Sequence, residues 1–404
     1  MKPVLKGKGK HIEDAVIAFR RELHRYPELS GEEYETSKKI QAKLQEIGIP
    51  YTAGYAGTGI LGVIEGNGPG PTVALRADID ALPIQEETGL PYASQVQGKM
   101  HACGHDAHTA MLWGAGSLLQ ACKDRWPGKV LMVFQPAEEF PPIGGAQPMI
   151  HDGVFAEHQP DCIFAQHVWP GLPVGQIGVR PGPMMGASDR FEVVIEGRGG
   201  HASMPHQTVD AIVVANAIIT NLQTIVSRNV NPLDAAVLTV GRIEGGVSHN
   251  VVADKVVLEG TVRTFKPEVK QKVKTQFFSV VEGMAQAMGA RALIRYYDGY
   301  PATENHPRWA EQVRQTAREL LGPESTPDVE PCLGGEDFSG FLLHYPGAYY
   351  WLGTGLDDQS KQFPLHDPRF QIDERALVIG TELLAQVAVD AIFHLAEKGG
   401  QTVE

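Results

Sequence analysis

Hydrophobic patterning changes character once along this chain, near Ser188, and that change admits only folds with two different kinds of sheet. Before Ser188, apolar runs are short and unbroken: residues 72–75, 129–134 and 161–165 read as strands buried on both faces. Helical stretches alternate with them. Ile12, Val16, Phe19 and Leu23 form one stripe over 11–26. A capping-box pattern at Ser30 and Glu33 opens a second helix with Ile40, Leu44 and Ile47, and a third spans 107–122. Strands alternating with helices predict an α/β domain with a mostly parallel sheet and helices on both faces. Beyond Ser188, Phe191, Val193 and Ile195 alternate with polar neighbours, as in a strand with one solvated face. A helix (208–226), strands at 235–243 and 255–264, a helix (267–288) and a strand (291–297) follow, an order of β-α-β-β-α-β. This is the ferredoxin-like α+β arrangement. The chain then resumes helix and strand and ends in a long apolar helix at 374–396. With 404 residues exceeding what one core usually serves, the prediction is a domain of 1–187 with 299–404, interrupted by an inserted domain of 188–298.

A net charge of −13 excludes the basic face that nucleic acid requires, yet leaves room for one arginine to hold a small carboxylate. The basic stretch at 1–10 leads into a polar helix rather than an apolar h-region, so no secretory signal is read. No run approaches ~18 uninterrupted apolar residues. Four cysteines (Cys103, Cys122, Cys162, Cys332) make no disulfide framework in a chain this long, and a cytoplasmic location is expected.

The densest chemical signal is Met100-His101-Ala102-Cys103-Gly104-His105-Asp106-Ala107-His108. Cys and His flanking a glycine can turn toward one point, and thiolate with imidazole suits a borderline metal such as zinc. Taken alone, the loop fits a polar helix cap equally well. Pro136-Ala137-Glu138-Glu139 follows the strand 129–134, at the C-terminal edge where open α/β sheets gather their chemistry. Adjacent carboxylates in extended chain point apart, so one can bind metal while its neighbour moves protons, although a bare Glu-Glu pair is usually a solvated surface. Gln166-His167 closes another strand, and Pro364-Leu365-His366-Asp367 lies before the last helix. The conjunction of these groups is what argues for a metal site.

At this point the chain resembles the amidohydrolase branch of the aminoacylase/carboxypeptidase metallohydrolases, which includes hippurate hydrolases, N-acetyl-amino-acid deacetylases and plant auxin-conjugate hydrolases. The resemblance runs from Arg20-Arg21-Glu22-Leu23-His24-Arg25-Tyr26-Pro27-Glu28-Leu29-Ser30 through Leu75-Arg76-Ala77-Asp78-Ile79-Asp80, the Cys103 loop and Gln135-Pro136-Ala137-Glu138-Glu139. It continues through Gly200-His201-Ala202-Ser203-Met204-Pro205-His206 to Gly334-Gly335-Glu336-Asp337-Phe338-Ser339. It implies that Cys103, His105, Glu139, His167 and His366 hold two divalent ions (zinc, manganese, cobalt or nickel), and that Glu138 is the general base. It implies that Asp80 lies behind the metal ligands, and it marks the insert as a lid that mediates a homodimer, with a tetramer as the alternative. There His201 would support the oxyanion in the partner's site, and Asn250 and Arg263 would hold substrate, Arg263 through the α-carboxylate. Asp78 stands where related peptidase branches carry a histidine.

The expected function is metal-dependent hydrolysis of N-acyl amino acids, with a carboxypeptidase or dipeptidase on the same centre as the alternative. A non-catalytic binding protein has no need of Glu138. Cys122, Cys162 and Cys332 are expected as buried apolar groups, His101 and His108 as partners of the ligands or solvent-facing caps, and Glu336 and Asp337 in structural roles. Trp169 is expected as a core aromatic.

Overall fold

The structure is a computed structural model describing residues 2–399. Contacts divide it into two units: one built from residues up to Met184, Glu304–Glu330 and Asp337 onward, the other from Met185–Thr303 and Pro331–Glu336.

The first unit is organised on a seven-stranded sheet of β1 (Tyr51–Tyr55), β2 (Gly59–Glu65), β3 (Thr72–Asp78), β4 (Lys129–Gln135), β5 (Cys162–Pro173), β6 (Ile177–Gly178) and the strand Gly347–Gly355. The order is β1, β2, β4, β3, β5, Gly347–Gly355, β6. Its centre is parallel, with β3 between β4 and β5, and β5 beside Gly347–Gly355; β1, β2 and β6 pair antiparallel at the edges. Helices α1 (Glu13–Arg25), α2 (Tyr34–Glu46) and α3 (His105–Ala121) belong to this unit, as does the C-terminal helix Arg375–Gly399. α3 is apolar all round because it lies between the sheet and a second layer of helices. Its small residues permit the close approach: a Cβ on Gly116 would sit 2.4 Å from Met132 Cε, and one on Gly114 would sit 2.8 Å from Val16 Cγ2. Leu112, Leu118 and Leu119 are buried in this layer, each worth about 1.5–3 kcal/mol relative to exposure.

The capping box expected at Ser30 and Glu33 does not form. The free N–H groups of Glu35 and Thr36, at the start of α2, donate instead to the Glu28 carboxylate, at 3.1 and 2.7 Å. Glu33 and Ser30 turn inward, for a tertiary reason given below. Other boundaries shift slightly, α3 starting two residues early and β5 running through His167 to Pro173.

The second unit carries a four-stranded antiparallel sheet in the order Ala236–Gly245, Lys255–Thr264, Ala187–Glu196, Arg291–Tyr300. Helices Ala211–Thr224 and Pro267–Ala287 cover one face, packing Ile218, Leu222, Phe277 and Val281 on Phe191, Val193 and Ile195. Asp210 caps the first helix, accepting from the N–H groups of Ile212 and Val213, and Pro267 opens the second. Pro331–Glu336 joins this unit through the Gly186 N–H, which donates to the Gly334 carbonyl at 2.9 Å. Among the described residues two helices are long and apolar enough to cross a membrane, Arg375–Glu397 and Ala211–Asn229; 78% of the first window is buried, against 33% of the second.

Candidate metal centre

The period-two rule and the strand register place the centre on one face of the sheet. Arg76 lies opposite Val133 and Ala165, Asp78 opposite Gln135, and His167 opposite Trp351. Arg76, Asp78, Gln135, Ala165, His167 and Trp351 therefore share a face, while Leu75, Met132 and Phe164 face the opposite way. Opposite charges two apart in an otherwise apolar strand were an available signal of a buried pair. Arg76 Nη1 donates to Asp78 Oδ2 at 2.7 Å, its Nε donates to Gln135 at 2.8 Å, and Nη2 reaches Asp337 Oδ1 at 2.9 Å. Asp337 also accepts from Gln135 and from the N–H groups of Gly145 and Ala146, a structural role.

The ligand loop enters α3 through Gly104, whose φ of +85° is left-handed; a Cβ there would meet Val168 Cγ2 at 2.4 Å. The reversal leaves Cys103 and His105 buried on the same side, and Cys103, His105 and Glu139 offer ligand atoms all within 4.8 Å of one another. Hydrogen bonds fix which nitrogen of each ring is available. His105 Nδ1 lies 3.1 Å from Asp80 Oδ1; a carboxylate only accepts, so one proton is on Nδ1, and the buried Nε2, with no hydrogen-bond partner, is the atom where a second proton or a metal ion binds. His167 Nδ1 donates to its neighbour's carbonyl, Val168 O, at 2.8 Å, which leaves Nε2 unprotonated 3.4 Å from Cys103 Sγ. His366 Nε2 lies 3.0 Å from Glu139 Oε1, yet that buried oxygen forms no hydrogen bond, so the two groups converge without satisfying each other. His366 is tied to the ligand loop by its own N–H, which donates to Ala102 O at 2.9 Å, and its φ is +68°. The same logic sets one neighbour apart. His108 lies with Asp78, His105 and His167 in a second group of potential ligands, but its Nε2 accepts from the Val168 N–H at 2.9 Å and its Nδ1 donates to Asp78 at 2.5 Å. Both nitrogens of His108 thus have partners within the protein, unlike Nε2 of His105.

Electrostatics favour a cation here. Burial pushes the Cys103 thiol well up, and Glu139, Glu138 and Asp78 push it further. Burial would lower the His105 imidazole, but Asp78, Asp80 and Glu139 outweigh it and carry it up to about 10. Burial raises the Asp78 carboxyl, and His105, His108 and Arg76 overcome that to hold it well below the usual range. A site with this much buried negative charge, a sulfur donor, carboxylate oxygens and two imidazole Nε2 atoms turned inward, that of His105 drawing a proton a metal ion can displace, fits divalent metal.

Glu138 is buried, and it follows Ala137, whose φ of +56° is left-handed. Asp80 holds His105 and accepts from the Glu139 N–H at 2.9 Å. His201, Asn250 and Arg263 lie in the second unit. His201 is exposed; the Ser203 N–H, at 3.2 Å, donates to its Nδ1, which keeps the ring proton on Nε2 in the neutral form. Asn250 is exposed, with Oδ1 accepting from Ser248 Oγ at 2.8 Å. Arg263 is half-buried, with its pKa lowered by burial, and has no ion pair or hydrogen bond among the described residues. Trp169 is half-buried and stacks on buried Trp351, with centroids 3.9 Å apart, rather than sitting wholly in the core. Cys162 is buried, whereas Cys122 and Cys332 are only partly so.

Sequence reasoning missed a buried cluster behind the ligand loop. Asp106, next to His105, pairs with Arg20 Nε and with His24 Nδ1, both at 2.7 Å, and His24 Nε2 lies 3.3 Å from Glu86. Burial raises the Asp106 carboxyl, but Arg20 and His24 hold it far below its ordinary value. Arg20 and His24 at i,i+4 on the apolar stripe of α1 were the available signal.

Residues 74–390 match the model of peptidase family M20/M25/M40. The chain is 45% identical to the N-acetyl-L-cysteine deacetylase of Bacillus subtilis (strain 168), across 93% of this chain and 88% of that protein. It is 38% identical to Thermostable carboxypeptidase 1 of Saccharolobus solfataricus, across 95% and 97%. Among solved structures, it resembles the Bacillus subtilis YXEP protein, described as a dinuclear metal binding peptidase. That match has a TM-score of 0.82, 38% identity, and coverage of 95% of this chain and 99% of that one.

Proposed function

This chain belongs to peptidase family M20/M25/M40, and from that premise we propose that it is a metal-dependent amidohydrolase cleaving N-acyl amino acids to a carboxylic acid and a free amino acid. The observation that carries this reading is the convergence of Cys103, His105, Glu139, His167 and His366, with the Nε2 atoms of His105 and His167 turned inward, beside the buried carboxylate of Glu138. In this reading those five residues hold two divalent ions, drawn from zinc, manganese, cobalt and nickel, and Asp80 keeps His105 in its ligating tautomer. The ions, when bound, supply Lewis-acid polarisation of water and of the scissile carbonyl. Glu138 accepts the proton of the attacking water as the C–O bond forms and delivers it to the nitrogen as the C–N bond breaks, because an amine leaves only once protonated.

The second unit is read as a lid and dimerisation domain. His201, with its proton on Nε2, is suited to donate to the tetrahedral oxyanion across a homodimer, an interaction worth about 3 kcal/mol. Arg263, a half-buried cation with no ion pair or hydrogen bond among the described residues, is suited to a substrate carboxylate, with Asn250 as a second substrate contact. A cytoplasmic location and the absence of nucleic-acid or membrane partners complete the reading.

The second reading, a carboxypeptidase or dipeptidase on the same centre, draws on the relative named as a carboxypeptidase. N-acetyl, N-benzoyl and dipeptide substrates sharing one amino acid, offered to apo-protein reloaded with each of the four metals, separate the two. Glu138→Gln is expected to lower turnover by ~10²–10⁴-fold with metal content unchanged. Turnover near the parental rate in that variant removes Glu138 from the chemistry.

A further inference from the structure

The residues that look like a helix cap in the sequence form a clamp on the turn that carries Glu138. Glu33 is fully buried, and every partner of its carboxylate is a donor. Oε1 accepts from the Gly31 N–H at 2.8 Å and from the Ala137 N–H at 2.9 Å, while Oε2 accepts from the Thr58 hydroxyl at 2.8 Å. Three turns distant in sequence are thereby tied to one side chain. Ser30, from the same turn, donates to Asp80 Oδ2 at 2.7 Å, and that oxygen also accepts from the Glu139 N–H at 2.9 Å. The amides immediately before and after Glu138 are thus each anchored on a buried carboxylate, Ala137 on Glu33 and Glu139 on Asp80.

The backbone needs such an anchor. Ala137 has φ +56°, a conformation that costs a residue with a Cβ about 1–2 kcal/mol and persists only where surrounding bonds over-determine it. Among the described residues only Ala56, Ala137 and His366 are non-glycine with positive φ, so two of the three border the candidate centre. The twist at Ala137 decides where the Glu138 side chain points. Its donor is met by Glu33, a residue 104 positions away.

We propose that Glu33 is a positioning residue: by accepting the Ala137 N–H it holds the left-handed turn that aims Glu138, a claim that rests on reading Glu138 as the general base. The contribution is geometric and does not require the charge. A glutamine at 33 keeps an oxygen for Gly31 and Ala137 and turns its amide N–H toward the Thr58 oxygen, whose own proton can rotate away. An aspartate keeps the charge but is one methylene too short to span the same donors. The order of activities is therefore the reverse of one set by charge.

The test measures kcat, KM, bound metal and hydrogen–deuterium exchange over residues 135–139 in Glu33→Gln, Glu33→Asp and Thr58→Val. Glu33→Gln is expected to keep kcat within a few-fold of the parent and to keep the Ala137 amide protected. Glu33→Asp is expected to lose ~10²-fold in kcat, the scale of a misplacement of about 1 Å, with KM and metal content little changed and the Ala137 amide exchanging faster. Thr58→Val, which spares the Ala137 bond, is expected to lower the melting temperature but not kcat. Glu33→Asp as active as Glu33→Gln, or unaltered exchange at Ala137, overturns the clamp. If Glu33→Asp does not fold, Glu33→Gln carries the test: a protected Ala137 amide with kcat within a few-fold of the parent supports the clamp, and full kcat with a freely exchanging Ala137 amide, or a lost kcat with that amide still protected, overturns it. Exchange is read without substrate, and Glu138→Gln is run alongside. An active Glu138→Gln defeats the reading of the base, whereas an inactive one beside a fully active Glu33→Asp defeats only the clamp.

Discussion

His101 is buried between charged groups, and neither of its ring nitrogens has a hydrogen-bond partner among the described residues. Burial lowers its pKa from 6.5 to about 4, the fields of Asp106 and His24 being smaller and opposed. Because the folded state holds this ring neutral, its contribution to stability is whole above about 6.5 and is lost as the pH falls toward about 4. The loss amounts to about 3 kcal/mol. Urea midpoints of the parent and of His101→Gln, taken at equal metal loading between pH 7 and 4, should diverge across that window, with the variant flatter. Parallel curves would mean that the ring protonates freely in the fold. At this scale the sequence disclosed residue types, not partners. Cys103 and His105 stood out because they crowd one short loop, and Glu138 and Glu139 because they follow a buried strand. Glu33 was misread because Ser and Glu three apart satisfy a local capping rule. Only the tertiary fold supplies Ala137 and Thr58 as competing donors. Which of His105, His108 and His167 keeps an open Nε2 is likewise set by a tertiary contact, the Val168 N–H that occupies the Nε2 of His108, which no spacing encodes.

The element that organises the centre is the junction into α3. Gly104 combines a φ of +85° with a space already filled by Val168, so the loop can present Cys103 and His105 together only with glycine at this point. Gly104→Ala adds left-handed strain of about 1–2 kcal/mol and an overlap costing about 1–3 kcal/mol. Urea unfolding should therefore show a loss of several kcal/mol. Titration of the apo-protein with zinc should show weaker uptake, because strain relieved by shifting the loop separates sulfur from imidazole. Unchanged metal affinity would show that the loop tolerates another path. The helices and buried strands of the first unit were legible because continuous apolar runs and 3.6-residue stripes are strong local signals. The β1–β2 pair was not: Thr52, Ala53 and Gly54 are exposed, so this edge strand carries neither alternation nor an apolar run. β5 runs past His167 because Trp169 stacks on Trp351 of the neighbouring strand, a cross-strand contact beyond the reach of local pattern.

For the molecule as a whole, the switch to alternating strands corresponds to the antiparallel sheet of the second unit, whereas the place of Pro331–Glu336 in that unit was not legible, since a loop without periodicity gives no sign of which unit it will join. The second unit also displays apolar surface that a solitary chain would expose: Ile212 and Val213 on the helix Ala211–Thr224, and Val237 and Ile243 on Ala236–Gly245, an edge strand of its sheet. An apolar sheet edge is a pairing hazard unless covered, and a second copy of the chain is the occupant that the proposed homodimer supplies. If His201 serves the partner's centre, the two defects Glu138→Gln and His201→Ala lie in different places, and each homodimer is crippled at both of its sites. A heterodimer of the two variants instead concentrates both defects in one site and leaves the other with its own Glu138 and the partner's His201. Random mixing should therefore return about a quarter of the parental activity, one intact site in half of the dimers. Mixing differently tagged variants, purifying the doubly tagged species and assaying it against each homodimer measures this directly. A purified heterodimer no more active than its parents would confine His201 to its own subunit or remove it from the reaction.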